Sequence, residues 1–279
     1  MGWVIDEKEV KEEEKLKGAE QSVDESGQGG GDASKGERGE RVEAAFWELG
    51  RALDVETSAR ARARRRRSDA GRVQLTSRDL TALTWTGEQY AVFQPQLEQL
   101  LGCGRAIAYR TRSRWLRGGW ADARIIRADQ PPLVWLTRDG LRMCELDYPT
   151  WRPSAAMLAH VHAVNQVRLA LAEARPDWAW TCERELARRQ PRTASGVRLG
   201  HRHDALITTD QGEEIPIEVE LTQKAATRTE GILREALKTY NQVWYFAPPA
   251  RGRSIEKTAE RLALRERVTV DAIPTASGS

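Results

Sequence analysis

Ten residues, Ile215-Pro216-Ile217-Glu218-Val219-Glu220-Leu221-Thr222-Gln223-Lys224, constrain this chain more than any others. Apolar residues at 215, 217, 219 and 221 alternate with the carboxylates of Glu218 and Glu220. A period of two belongs to a β-strand, whose successive side chains point to opposite faces. Glu218 and Glu220 are therefore expected on one face, with Ile217, Val219 and Leu221 in a core. Two carboxylates on one strand face repel each other unless a cation, a proton or a nearby base offsets them. A second short apolar segment, Asp204-Ala205-Leu206-Ile207, opens on an Asp. On a neighbouring strand, Asp204 would complete a site of oxygen ligands for a hard cation with Glu218 and Glu220. The plainer alternative is the charged, solvent-facing side of a half-buried strand.

Composition sets the frame for these strands. With 279 residues, 40% of them hydrophobic and 30% charged, the chain can build one or two packed domains but leaves part of itself outside them. No apolar run approaches the roughly 18 residues that a membrane span needs. Asp6, Glu7 and Glu9 stand where a secretory signal would be basic and then apolar, so no leader is expected. Cys103, Cys144 and Cys182 have no metal-ligand spacing and fit packing roles in a reducing cytoplasm.

The formal net charge of +3 is unevenly spread. Residues 1–40 hold 12 Asp/Glu against 6 Lys/Arg, a net of −6, so the remainder carries +9. Residues 1–72 read as an acidic, Gly/Ser-rich disordered tail followed by an Arg-rich arm. The arm, Arg60-Ala61-Arg62-Ala63-Arg64-Arg65-Arg66-Arg67, places six arginines in eight positions. Such a block repels itself unless phosphates neutralise it and release counterions, which points Arg64, Arg65, Arg66 and Arg67 toward double-stranded DNA. A solvated linker of biased composition is the competing reading.

Residues 73–150 follow the pattern of a winged helix-turn-helix. Thr76 or Ser77 caps a helix with Asp79 in its first turn, and Leu80, Leu83 and Trp85 form the apolar side. Pro95 suits the first turn of a second helix carrying Leu97, Leu100 and Leu101, which Gly102 and Gly104 end. A third helix is expected over residues 109–117, with Trp115 and Leu116 inward and Arg110, Arg112, Arg114 and Arg117 outward. Residues 123–127 and 133–137 read as two strands around the Asp129-Gln130-Pro131-Pro132 turn, and a last helix runs from Thr137 toward Cys144. The basic third helix would lie in the major groove and the wing on the backbone. A solvated arginine face on a protein-contact domain is the plainer alternative.

Residues 151–250 predict an α/β domain and residues 251–279 a C-terminal helix and tail. A long helix over 155–174 precedes strands at 178–183, 204–209 and 215–221, a helix at 227–240 and a strand at 243–246. A charged helix over 254–267 and a strand at 268–273 end the reading. This α-β-β-β-α-β order resembles the core of restriction-endonuclease-like proteins of the PD-(D/E)xK type, so the whole chain is expected to be α+β.

That resemblance implies an Asp on the second core strand and an acidic-x-Lys tripeptide on the third. Asp204 fits the first position and Glu218 the second. The third position is Glu220, not Lys. Lys224 just past the strand, or Lys238 on the following helix, is then the candidate cation that stabilises charge or orients water, and Glu220 is alternatively a ligand to a second ion. Mg²⁺ or Mn²⁺ on Asp204, Glu218 and Glu220 would polarise a phosphate and help generate hydroxide. His201 and His203 share a face of an extended segment, where zinc is conceivable, but Asp204 points the other way. His160 and His162 lie about 200° apart on a helix and cannot ligate together, which leaves His160 as a packing or hydrogen-bonding residue.

The order and spacing of several segments resemble the replication-relaxation family of plasmid and mobile-element proteins. They are Thr76-Ser77-Arg78-Asp79-Leu80, Leu136-Thr137-Arg138-Asp139-Gly140, His160 with Asn165, Asp204-Ala205-Leu206, Glu218-Val219-Glu220, and Lys238 with Tyr240. His203 stands where that family usually has Pro before the Asp. The resemblance implies duplex DNA and other replication or transfer proteins as partners. Two readings follow: a DNA-binding nickase or nuclease, or a non-enzymatic replication accessory or regulator whose nuclease-like domain is degenerate. An adaptor without a DNA role conflicts with the arginine arm.

Overall fold

The computed structural model describes residues 74–191, 193–196 and 200–275. The expected acidic tail and the Arg64–Arg67 arm lie outside the described residues. The described residues fall in one compact unit of mixed α+β structure. Among the described residues, no helix is long and apolar enough to cross a membrane.

Helix α1 (Ser77–Glu88) starts where its cap dictates. The Thr76 hydroxyl accepts from the Asp79 amide at 3.2 Å, and Asp79 Oδ2 accepts from the Thr76 amide at 2.8 Å. This reciprocal pair satisfies two donors that the helix leaves open. Strand β1 (Ala91–Phe93) follows, then α2 (Gln94–Leu101), with Pro95 in its first turn. Gly102 ends α2 in the left-handed conformation at φ 57°, which a side chain would disfavour.

Helix α3 (Arg105–Arg117) is longer than the sequence pattern suggests, because Gly104 and not Tyr109 opens it. Trp115 is buried on it as expected, whereas Leu116, expected inward, is exposed one position further round the helix. Strands β2 (Ala121–Arg124) and β3 (Leu133–Leu136) form an antiparallel pair, and β1 adds to the far side of β3, giving the order β1-β3-β2. Helix α4 (Arg138–Met143) is capped by the Thr137 hydroxyl on the Gly140 amide at 3.1 Å. Leu83, Leu97, Ala108, Trp115, Val134 and Leu141 pack together as the core of this lobe.

The second sheet has five strands in the order β4-β5-β6-β7-β8. Helix α5 (Leu158–Ala174) leads into β4 (Ala179–Cys182), the short helix α6 (Glu183–Arg189), β5 (Ala205–Thr208) and β6 (Glu214–Val219). These three strands run antiparallel. Helix α7 (Ala226–Thr239) then carries the chain to β7 (Val243–Phe246), and α8 (Pro249–Arg261) carries it to β8 (Val268–Asp271). The last two pairings are parallel, as helical crossovers require. The segment through Asp271 is therefore no appendage, since α8 and β8 complete the sheet. Pro249 opens α8 at a position that suits its fixed φ, five residues before the expected start.

Helices cover both sides of this sheet. Ile217, Val219 and Phe246 pack with Ala163, Val164 and Val167 of α5. Val243 and Tyr245 pack with Leu233 and Leu237 of α7 and Ile255 of α8. Residue 150 is not a gap between domains, because α5 belongs to both lobes. Asn165, fully buried, donates to the Ala91 carbonyl at 2.9 Å and to Gln96 Oε1 at 3.1 Å. Gln96 in turn donates to the His162 carbonyl at 2.9 Å, and Arg168 donates to Glu88 at 2.6 Å.

Candidate functional site

Glu218 lies on β6 between two core residues and opposite Tyr245 of β7, so it faces α7 and α8. It is not the solvent-facing edge of a half-buried strand: Glu218 and Glu220 are each 4% exposed. A buried carboxylate needs donors. Glu218 Oε1 takes two, from His201 Nε2 at 2.8 Å and His203 Nδ1 at 2.6 Å. Burial alone pushes the Glu218 carboxyl up, but these imidazole donors hold it below its usual range. The same contact outweighs burial at His201 and raises the affinity of its ring for a proton.

His201 and His203 sit in the extended segment that enters β5. The His201 amide donates to Glu235 Oε1 of α7 at 2.8 Å, which fixes that segment against the helix covering Glu218. The His203 ring packs edge-on to Tyr240 at 5.7 Å.

Asp204 turns the other way. It precedes the first residue of β5, so the strand pleat does not dictate its direction. Its Oδ2 accepts from the Val219 amide at 2.7 Å, and its Oδ1 meets His160 Nε2 of α5 at 3.0 Å. His160 is thus a hydrogen-bonding residue. Burial lowers its pKa, but the Asp204 contact wins and leaves it raised. Glu220 forms an ion pair with Lys224 at the end of β6. Lys238 is exposed on α7.

The expected trio therefore does not converge. Among the described residues, the group of three whose ligand atoms lie within 4.8 Å of one another is His201, His203 and Glu218. Asp204 is taken up by α5 and a backbone amide, and Glu220 by Lys224. Mg²⁺ demands a near-octahedral shell of oxygens, and two imidazoles in the converging set do not fit it. Sequence inspection found each of these residues but assigned Glu218 to the wrong neighbours. The pleat gave no signal, because His203 and Asp204 both precede β5 and the register of Ala205 with Ile217 does not extend to their side chains. Tyr245 was missed altogether: its hydroxyl is buried without a hydrogen-bond partner among the described residues, and burial beside Glu218 and Glu220 holds it protonated.

The arginines of α3 divide in the same way. Arg114 is not free for an outside partner, contrary to expectation, because it pairs with buried Asp79, which also accepts from Trp115 Nε1 at 3.1 Å. Arg112 stacks on Tyr109 at 4.8 Å and donates to Gln94 Oε1 at 2.8 Å. Arg110 and Arg117 are exposed, as is Arg105 at the start of the helix.

No family model matches the sequence, and no curated protein matches it. Among solved structures, the chain is similar to the protein VC1899 from Vibrio cholerae, with 11% sequence identity over 70% of this chain and a TM-score of 0.29. The match spans 53% of that protein, about half its length. A likeness this slight carries no argument about fold or function.

Proposed function

We propose that this chain is a DNA-binding protein of plasmid or mobile-element replication or transfer, with a metal-dependent nickase or nuclease lobe. In this reading residues 74–150 are a winged helix-turn-helix, with α3 as the helix presented to duplex DNA and the β2–β3 turn as its wing. The five-stranded lobe is restriction-endonuclease-like. The observation that carries the reading is the concentration of ionisable side chains at one end of β5 and β6. Three contact groups lie there: His160 with Asp204, His201 and His203 with Glu218, and Lys224 with Glu220. Three of these side chains, His203, Glu218 and Glu220, are buried, which is rare in a packed sheet without a chemical task.

Exposed Arg105, Arg110 and Arg117 supply phosphate contacts, and the Arg64–Arg67 arm adds to them. Within the ionisable cluster, Lys224 balances Glu220 and His160 holds the Asp204 carboxylate in place. Replication or transfer proteins are the expected protein partners, and the cytoplasm the expected compartment.

A second reading has a specific observation in its favour. Each of the three carboxylates already has an intramolecular partner, which suits a degenerate, non-enzymatic lobe in a replication accessory or regulator. The test is conversion of supercoiled plasmid to nicked or linear form, with Mg²⁺ or Mn²⁺ added in turn. Cleavage by the wild type that disappears in Glu218→Ala supports the nuclease. A wild type that shifts duplex DNA but never cuts it leaves the accessory protein.

A further inference from the structure

We infer that His201, His203 and Glu218 form a site for a transition-metal ion, zinc or cobalt, and not for magnesium. The inference deepens the nuclease reading and rests on it for the ion's use, but the site itself stands on geometry. The three ligand atoms are His201 Nε2, His203 Nδ1 and Glu218 Oε1, all within 4.8 Å of one another. Two imidazoles and one carboxylate are the donor set of three-ligand catalytic zinc sites, which leave a position for water. Imidazole suits zinc, copper, iron and nickel, whereas magnesium prefers oxygen alone.

The site is built before any ion arrives. His203 and Glu218 are 8% and 4% exposed, while the His201 side chain is 23% exposed and gives the entry side. The two nitrogens now lie 2.8 and 2.6 Å from Glu218 Oε1. Ligands at about 2.0–2.2 Å from a tetrahedral ion stand roughly 3.3 Å apart, so each contact opens by about half an ångström. His201 has the freedom to provide that opening, while its backbone stays pinned by Glu235.

The test is titration of the full-length protein with Co²⁺, read by the visible absorption of the bound ion, followed by competition with Zn²⁺ and Mg²⁺. One ion should bind per chain, zinc should displace it, and excess magnesium should not. His201→Gln, at the partly exposed position, should weaken Co²⁺ binding by more than about 100-fold, beyond what loss of an outer-shell partner costs. Glu218→Gln should do the same, with melting in metal-free buffer establishing that both variants fold. Absence of Co²⁺ binding, displacement by magnesium, or unchanged affinity in a folded His201→Gln would overturn the site. Magnesium-dependent plasmid cleavage that survives His201→Gln would overturn the ion's use in cleavage while leaving the nuclease. Tight Co²⁺ binding abolished by His201→Gln, without plasmid cleavage under any ion, would keep the site and remove the nuclease.

Discussion

Two glycines in helices make opposite forecasts, and the contrast tests whether packing or propensity rules this fold. Gly140 lies in the first turn of α4 and is buried. A Cβ there would stand 1.9 Å from the Trp120 carbonyl oxygen and 2.8 Å from its carbon. Ordinary contact begins near 3.4 Å, so two backbone segments must part by about 1.5 Å. That carbonyl also accepts from the Thr137 amide at 3.0 Å, a bond the shift would break. Overpacking costs roughly 1–3 kcal/mol and the broken bond about 1 kcal/mol. Alanine returns about 0.5–1 kcal/mol by restricting the unfolded chain and favouring helix. Sterics win, and Gly140→Ala should lose about 2–3 kcal/mol. Gly231, in the middle of α7, has nothing within 4 Å of its would-be Cβ. Gly231→Ala should therefore gain about 0.5–1 kcal/mol. For a folded unit of about 200 residues, the melting temperature should fall by roughly 4–12 °C in the first variant and rise by about 1–4 °C in the second. Urea unfolding with unchanged m values would give the same free energies. A Gly140→Ala protein that melts at or above the wild type would refute the steric argument.

Asp79 gives an acid-dependence forecast. Burial raises its carboxyl, but the Thr76 amide and hydroxyl, Arg114 and Trp115 together hold it below the ordinary 3.8. A pKa lowered on folding contributes stability that is full above the unfolded value and lost as pH falls through the folded one. Asp79→Asn should lower stability at neutral pH by about 2–4 kcal/mol and flatten the loss below pH ~4, measured as urea midpoints across pH; parallel curves for the two proteins would exclude the carboxylate. For the arm, replacing Arg64, Arg65, Arg66 and Arg67 by Ala should weaken duplex binding with little sequence dependence. It should also reduce the salt slope by about 0.9 for each phosphate that is no longer neutralised. A slope equal to that of the wild type removes the arm from the interface.

What the sequence made legible depends on how local its cause is. The Thr76–Asp79 cap is a four-residue signal, and it stands where expected. The burial of Asp79 under Arg114 and Trp115 joins residues 35 and 36 positions apart, and nothing in the local pattern announces it. Strand β1 escaped notice because three residues cannot display a period, and its partner β3 lies some forty residues on. Helix α6 escaped because no side chain caps it and Arg184, its buried residue, is polar. At the site, alternation placed Glu218 and Glu220 on one side, but the helices α7 and α8 that follow the strand fold back over that side and make it interior. Asp204 departs from the expected trio because it precedes the strand, where the pleat no longer sets direction.

The position of Asn165 bears on heredity as well as on packing. Its amide holds β1 and α2 of the first lobe from a helix whose opposite side roofs β5 and β6. A chain cut near residue 150 would leave the Ala91 carbonyl and the Gln96 side chain without their partners. It would also bare Leu158 and Val161, which pack against Ala91, Phe93 and Leu133. Neither half is a cassette that recombination can move alone. Homologous exchange is expected to carry residues 74–275 as a block.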